Sequence, residues 1–453
     1  MSQRTPKRRP PASRPRSSSH LSLATPPPPE TTHPADALPE NLVRLLFRQA
    51  AGLVDEDDPI QAELWCSDVL GAVWAATDGD PAAEETFADA WIAAAEALDD
   101  PDRPAALTAL TALSRIAGSA SARRAATVAA DRIAATGVPR PRWAVPADGA
   151  ADDVSAGECW RYGDVFGDQE TVLCAFRRGS SEHAMLVLID HTLGGIAKDV
   201  FFTEAVASSL ADLQYELAST PFAFLEPIEP AAARRRLQQA FAITDGLVEP
   251  RVNEELAPHR ALALARIRQL PPSIGSIVPE PAVEPEALVE EFLAAPEAAD
   301  LPDAELAARW AGLLIDRALA HADTPARVGP GVLDELLLVD VPEHAVLDAA
   351  AKSAMPGVLA AWIRWAGRRQ SLSEPAVAWL ENALDEMLDE FSEAYRDPGA
   401  VAHRNTCPDA VDLRSLRPMW LPIDLTRSTR TPISPSVLRA TSGASKVGRA
   451  RPK

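Results

Sequence analysis

Thr171-Val-Leu-Cys-Ala-Phe176, Ala184-Met-Leu-Val-Leu-Ile189 and Asp190-His-Thr-Leu-Gly-Gly-Ile-Ala-Lys-Asp199 are the stretches whose reading decides the fold. Ala184–Ile189 is apolar without a break. In so short a run this indicates a central strand covered on both faces. Trp160–Phe166 and Thr171–Phe176 read as two further strands. Gly167-Asp168 and Gly179-Ser180 supply turn signals between the runs, so the three strands form a small antiparallel meander.

Moving outward, the period changes from two to 3.6. A helix is expected from near Thr203, as N-cap, to about Leu217. Others should run from Pro230 to Phe241, and from about Arg251 to Leu270 with a break or kink near Pro258. Toward the N-terminus, Trp65, Val69, Ala72, Val73 and Ala76 share one helical face. Phe87, Trp91, Ala94, Ala95 and Leu98 share another, with Asp80 as N-cap and Pro81 in the first turn. Residues 41–137 therefore predict four or five Ala-rich helices, as a bundle or short solenoid. Val358, Ala361, Trp362 and Trp365 form a C-terminal stripe. So do Ala376, Trp379, Leu380, Ala383, Met387, Phe391 and Tyr395, and the three tryptophans are expected in a core. Periodicity fades beyond Pro398.

The expected architecture is thus α+β and predominantly α-helical. It comprises a helical domain (41–145), a central α+β domain with a small, mostly antiparallel sheet (156–270), and a C-terminal helical domain (286–400). Five prolines within 271–285 mark a semi-rigid linker. Ten prolines in residues 1–40 predict a disordered basic tail, and residues 401–453 a second, largely disordered one.

The 453 residues carry a net charge of −21, with 44 Lys+Arg against 65 Asp+Glu. The acidic charge is concentrated between basic ends: residues 1–40 hold six basic and three acidic side chains, and residues 425–453 seven basic and none acidic. An acidic body repels nucleic acid and acidic membranes, which leaves only the tails to touch phosphates. Four cysteines exclude a disulfide-stapled scaffold, and Cys66, Cys159, Cys174 and Cys407 form no CxxC pair for a zinc ribbon. Cys174, inside a strand, reads as a buried thiol. His259, His321, His344 and His403 read as isolated, and Asp55-Glu-Asp-Asp58 as a solvated loop. No apolar run approaches membrane-spanning length, and no signal peptide is recognisable, so a cytoplasmic location is expected.

The densest polar cluster follows the apolar strand. Side chains leaving the end of a buried strand are rigidly held, as a site requires. Asp190 and His191 make a candidate acid/base pair or set of metal ligands, Lys198 a candidate anion stabiliser, and Asp199 a further catalytic candidate. Gly194 and Gly195 allow positive φ and close approach of a ligand to the backbone. Asp168, Glu170, Glu182 and His183 lie at neighbouring turns or strand ends and can converge with them. The plainer reading is a structural turn: an Asp before Gly-Gly bonds the turn backbone, and Lys198-Asp199 is a solvated pair at a helix entrance. The phosphate-loop pattern, the Gly-x-Ser-x-Gly elbow and His-Glu-x-x-His are all absent.

The segment Tyr162-Gly-Asp-Val-Phe-Gly-Asp-Gln-Glu-Thr-Val-Leu-Cys174, with Glu182-His-Ala and Leu188-Ile-Asp-His-Thr-Leu-Gly-Gly-Ile-Ala-Lys-Asp199, resembles a block in uncharacterised proteins of high-GC actinobacteria. Met355-Pro-Gly-Val-Leu-Ala-Ala-Trp-Ile-Arg-Trp365 resembles a helical domain of unknown function from the same bacteria. The resemblance implies a bacterial cytoplasmic protein and carries over no functional residue. The expectation is an interaction or regulatory protein with a protein partner. One alternative is a hydrolase-like enzyme using Asp190, His191, Lys198 and Asp199; another is a nucleic-acid-associated protein acting through its basic tails. No metal is expected and the cofactor is left open.

Overall fold

Two helices near the N-terminus begin where an aspartate precedes a proline. The Oδ1 atoms of Asp58 and Asp80 accept hydrogen bonds from the backbone N–H groups of Ile60 (3.0 Å) and Ala82 (2.9 Å). Each cap satisfies a donor that has no partner inside the helix. The following Pro59 or Pro81 supplies a helical φ without adding another. The first five helices are α1 (Glu40–Ala51), α2 (Pro59–Ala76), α3 (Pro81–Glu96), α4 (Arg103–Ile116) and α5 (Ala120–Ala135). They form a bundle around α4, which is buried along Ala105–Leu113 and at Ile116. In that helix the hydroxyls of Thr108 and Thr111 donate to carbonyls one turn back, so neither enters the core unsatisfied.

The computed structural model describes residues 38–144, 154–178, 181–247, 250–272, 284–320, 324–406 and 411–412. The expectations for residues 1–37, for most of the 271–285 proline segment and for 413–453 lie outside these residues, as do His321 and Cys407.

The central sheet has five strands rather than three: β1 (Ser155–Asp164), β2 (Gln169–Arg178), β3 (Ser181–Asp190), β4 (Ile196–Thr203) and β5 (Ala223–Ile228). Their order is β4-β3-β2-β1-β5, every neighbouring pair antiparallel. β4 corrects the reading of Lys198-Asp199 as a helix entrance. Its polar centre disguises a strand that pairs with β3 from Asp190↔Ile196 to Ala184↔Thr203, with a bulge at Lys198. β5 holds Pro227 and lies at the sheet edge, where a missing N–H is tolerated.

After the sheet come α6 (Val206–Ser219), α7 (Pro230–Gly246) and α8 (Leu256–Gln269). The N-cap of α6 is Ala205, two residues later than expected, because β4 continues to Thr203. α8 starts at Leu256, so Pro258 falls in its first turn, where proline requires no kink. α7 and α8 cover the face carrying Val172, Cys174, Phe176, Met185, Val187 and Ile189. On the other face Leu186 and Leu188 are only half-buried, and α6 has no fully buried residue. The Ala184–Ile189 run is thus fully covered on one face rather than both.

The C-terminal helices are α9 (Pro285–Leu293), α10 (Ala304–Ala320), α11 (Pro330–Asp334), α12 (Val341–His344), α13 (Ala349–Arg369), α14 (Glu374–Ala394) and α15 (Pro398–Thr406). A wider π turn, Glu335–Asp340, joins α11 to α12. α15 lies beyond the point at which periodicity fades. Phe292 packs edge-on against Trp362 and Trp365, both buried, as expected. Trp379 departs from its expected core position: it is 40% exposed and stacks on Phe166 of the β1–β2 turn.

The protein is α+β and predominantly helical, and all described residues belong to one unit. α8 contributes Ala261, Leu262 and Ala265 to the core of the first bundle, while Phe166 enters the C-terminal core. Among the described residues, no helix is long and apolar enough to cross a membrane.

Candidate functional site

One face of β2 carries Glu170, Val172, Cys174, Phe176 and Arg178 in strict alternation. Its apolar middle lies under α7, and each charged end enters an arginine–carboxylate cluster. The two clusters differ in their access to solvent.

At the Arg178 end, Glu63 of α2 is fully buried. Its Oε1 accepts from Arg178 (2.7 Å) and lies 3.8 Å from Arg115, while its Oε2 accepts from Arg266 of α8 (2.5 Å). Burial pushes the Glu63 carboxyl up, but Arg266, Arg178 and Arg115 overcome it and hold the group at about 2. Burial also draws Arg115 down to about 10. Arg266 Nε donates to His183 Nε2 (2.7 Å). That ring nitrogen therefore accepts, and the imidazole is neutral. Burial, with Arg266 next, brings His183 down to about 3. This closed cluster joins the helical bundle, the sheet and α8.

At the opposite end Glu170 lies beside a cavity of about 230 Å³. Arg161 of β1 forms an ion pair with Glu170, its Nε 2.8 Å from Oε2, and Arg236 of α7 donates from Nη1 to Oε1 (3.1 Å). The same Oε1 is 3.4 Å from His191 Nε2. Burial would raise the Glu170 carboxyl, but the His191 contact, then Arg236 and Arg161, leave it below its ordinary value. Arg161 also lies over the Phe224 ring, 4.9 Å from its centroid. Arg327 closes the rim from the segment before α11. Its Nη1 donates to Asp168 Oδ1 (2.6 Å) and to the Gly167 carbonyl (2.8 Å). Asp168 Oδ2 accepts from the Gly331 N–H (2.5 Å), and burial raises this carboxyl to about 7 against the pull of Arg327.

The sequence-derived candidates divide between this cleft and its support. His191 lines the cavity. Asp190 is buried beneath the turn. Its Oδ2 accepts from Lys198 Nζ (2.6 Å) and Gln169 Nε2 (2.8 Å), and its Oδ1 from the N–H (3.0 Å) and hydroxyl (2.6 Å) of Thr192. Lys198 and Asp190 therefore face each other, not the cavity. Asp199 is separate and buried, accepting from Asn253 Nδ2 (2.6 Å) and the Val200 N–H (2.8 Å). Its carboxyl is raised by burial, which those hydrogen bonds oppose. Gly194 and Gly195 have φ of +84° and +81°, the conformation that lets the chain reverse from β3 into β4. Of the neighbouring candidates, Glu170 converges with His191, and Asp168 flanks the rim. His183 belongs to the other cluster, and Glu182 pairs with exposed Arg177.

Sequence reasoning missed Arg161, Arg236 and Arg327. Arg161 shares a pleat face with Cys159, and Arg236 adjoins the buried α7 stripe of Ala233, Leu237 and Ala240. A basic residue beside an apolar register is a usable signal, but only the fold brings these three together. Glu170 and His191 offer two metal-donor types, yet the surrounding guanidinium groups repel a cation and favour an anion. Comparison of the chain with protein-family models, curated proteins and solved structures finds no match.

Proposed function

We propose that the protein is a cytoplasmic regulatory or interaction protein whose protein-binding state responds to a small anionic ligand in the Glu170 cleft. The carrying observation is the gathering of Arg161, Arg236, Arg327 and His191 around one small cavity in a chain of net charge −21. Asp164 and Glu170 share the lining, so three guanidinium groups outnumber two carboxylates, a local positive excess that attracts anions against the acidic field of the whole molecule. The volume lies below the ~300 Å³ at which pockets for drug-sized ligands begin, so it suits a phosphate or small carboxylate better than a nucleotide. The wall is built from the sheet, α7 and the segment before α11, so an occupant bridges these layers. That is the property a ligand-controlled interaction surface needs.

The test is calorimetric titration of the full chain with inorganic phosphate, pyrophosphate and small dicarboxylates. At least one should bind, and Arg236→Gln should weaken it tenfold or more while leaving the melting temperature nearly unchanged. No binding by any of these anions, or equal binding by Arg161→Gln and Arg236→Gln, would reject the reading.

The hydrolase alternative draws support from the 3.4 Å approach of His191 Nε2 to Glu170 Oε1, a carboxylate-oriented imidazole facing a cavity. It retains His191 from the original four candidates and replaces Asp190 with Glu170. Turnover of a phosphate or carboxylate ester that His191→Ala abolishes without unfolding the protein would favour it. A nucleic-acid role through the basic tails predicts steeply salt-dependent binding that is lost on trimming to residues 41–424.

A further inference from the structure

We propose that Glu343, His344 and His403 form a binding site for a borderline divalent transition-metal ion, for which zinc is the natural probe. The sequence presents the two histidines as isolated, 59 positions apart. Folding brings them together because α12 packs on α15, and the short parallel pair β6 (Ala345–Val346) and β7 (Val411–Asp412) holds the following segments side by side. One ligand atom from each of the three side chains lies within 4.8 Å of the others, and all three residues are half-buried. The imidazole centroids are 5.2 Å apart with the rings at 76°, so neither ring stacks over the other.

An independent observation concerns His344. Its Nδ1 lies 3.2 Å from the backbone carbonyl of Asp340. A carbonyl oxygen only accepts, so Nδ1 carries the proton and Nε2 retains its lone pair. Metal-binding histidines are oriented in the same way, by a hydrogen bond from the ring nitrogen that does not ligate.

Nearby cations are directed elsewhere. Arg317 forms a two-point pair with Asp340 (2.8 and 2.6 Å). Arg404 donates to the carbonyls of Pro342 and Tyr395, and its guanidinium lies 4.0 Å from the Tyr395 ring centroid. Two imidazoles and one carboxylate suit zinc and its first-row neighbours better than magnesium or calcium, which prefer all-oxygen sets. Around a tetrahedral zinc ion the donor atoms stand roughly 3.4 Å apart. With no two donor atoms more than 4.8 Å apart, each pair must draw in by at most about 1.4 Å, a movement that half-buried side chains can make. The fourth position is left to water or another ligand. A bound ion would fasten α15 to α12.

The experiment uses the full, untagged chain, stripped with a chelator and titrated with zinc chloride against a competing indicator. One equivalent should bind, and cobalt(II) at the same site should give the visible bands of a tetrahedral ion. His344→Gln and His403→Gln should each weaken zinc by more than about 100-fold, since loss of an outer-shell partner alone costs 10–100-fold. His259→Gln should have no effect. A second measurement needs no variant: zinc should protect His344 and His403 of the wild-type chain, but not His259, from diethyl pyrocarbonate. Absence of a stoichiometric zinc site, protection of other histidines instead, or undiminished binding by folded His344→Gln and His403→Gln variants would overturn the proposal.

Discussion

Glu63 and Glu170 are each surrounded by three basic side chains, at ends of β2 separated by eight residues, or roughly 26 Å. Around Glu63 the partners are Arg115, Arg178 and Arg266, supplied by α4, β2 and α8, and the group has no exposed surface. Around Glu170 they are Arg161, Arg236 and His191, beside an open cavity. The same chemistry therefore serves two ends. Without water, a carboxylate among arginines fixes the relative position of three elements, because any separation strands a buried charge. With water on one side, the charges are partly solvated and remain available to a ligand. Both glutamates are buried; the exposure of their basic partners, rather than residue type, distinguishes a structural cluster from a candidate site.

The largest test of this contrast is Glu63→Gln. It leaves three buried guanidinium groups around a neutral amide, and breaking a buried ion pair in this way costs about 3–5 kcal/mol. Urea denaturation should register the loss as a lower midpoint at unchanged slope. Glu170→Gln should cost less, about 1–2 kcal/mol, because water can solvate the released arginines. It should also tighten anion binding, since one negative charge leaves the cleft. Equal destabilisation by the two variants would remove the distinction.

Acid sharpens the contrast further. The folded His183 imidazole is held down at about 3, against ~6.5 in the unfolded chain. Its contribution is therefore fully present above pH ~6.5 and is lost as pH falls toward 3, because the unfolded chain takes up a proton that the folded one refuses. Between pH 7 and 4.5 the wild-type melting temperature should fall more than that of His183→Gln, which keeps an acceptor for Arg266. Comparing the two cancels the contribution of Asp168, whose raised carboxyl acts in the opposite direction. The smallest effect belongs to Arg177→Ala. This residue pairs with Glu182 on the β2–β3 hairpin, both side chains well exposed, and its loss should shift stability by less than ~0.5 kcal/mol.

Much of the scaffold was legible from local signals. Asp80-Pro81 specified a helix start, apolar periodicity located the helical segments, and Gly167-Asp168 located a turn. β4 and β5 were not legible, for different reasons. Lys198-Asp199 interrupts an otherwise strand-like run with charge, and that charge makes sense only once Asp190 and Asn253 are opposite it. Pro227 argues against a strand unless the strand lies at an edge. Of the candidate site, His191 and Glu170 were recognisable as polar groups at strand ends. Their arginine partners were not, because Arg161, Arg236 and Arg327 are contributed by segments up to 166 positions apart.

The sequence by itself determined most of the helical segments and the first three strands, where several of them begin, and that an acidic body lies between basic ends. These properties depend on neighbours a few positions away: a cap, a proline, a period. Tertiary structure alone decided that Asp190 supports a turn while His191 faces a cleft. It decided too that the partners of buried Glu63 are sealed while those of buried Glu170 border a cavity, and that His344 meets His403. Contacts of that kind, and the exclusion of water that sets their strength, depend on packing between distant segments.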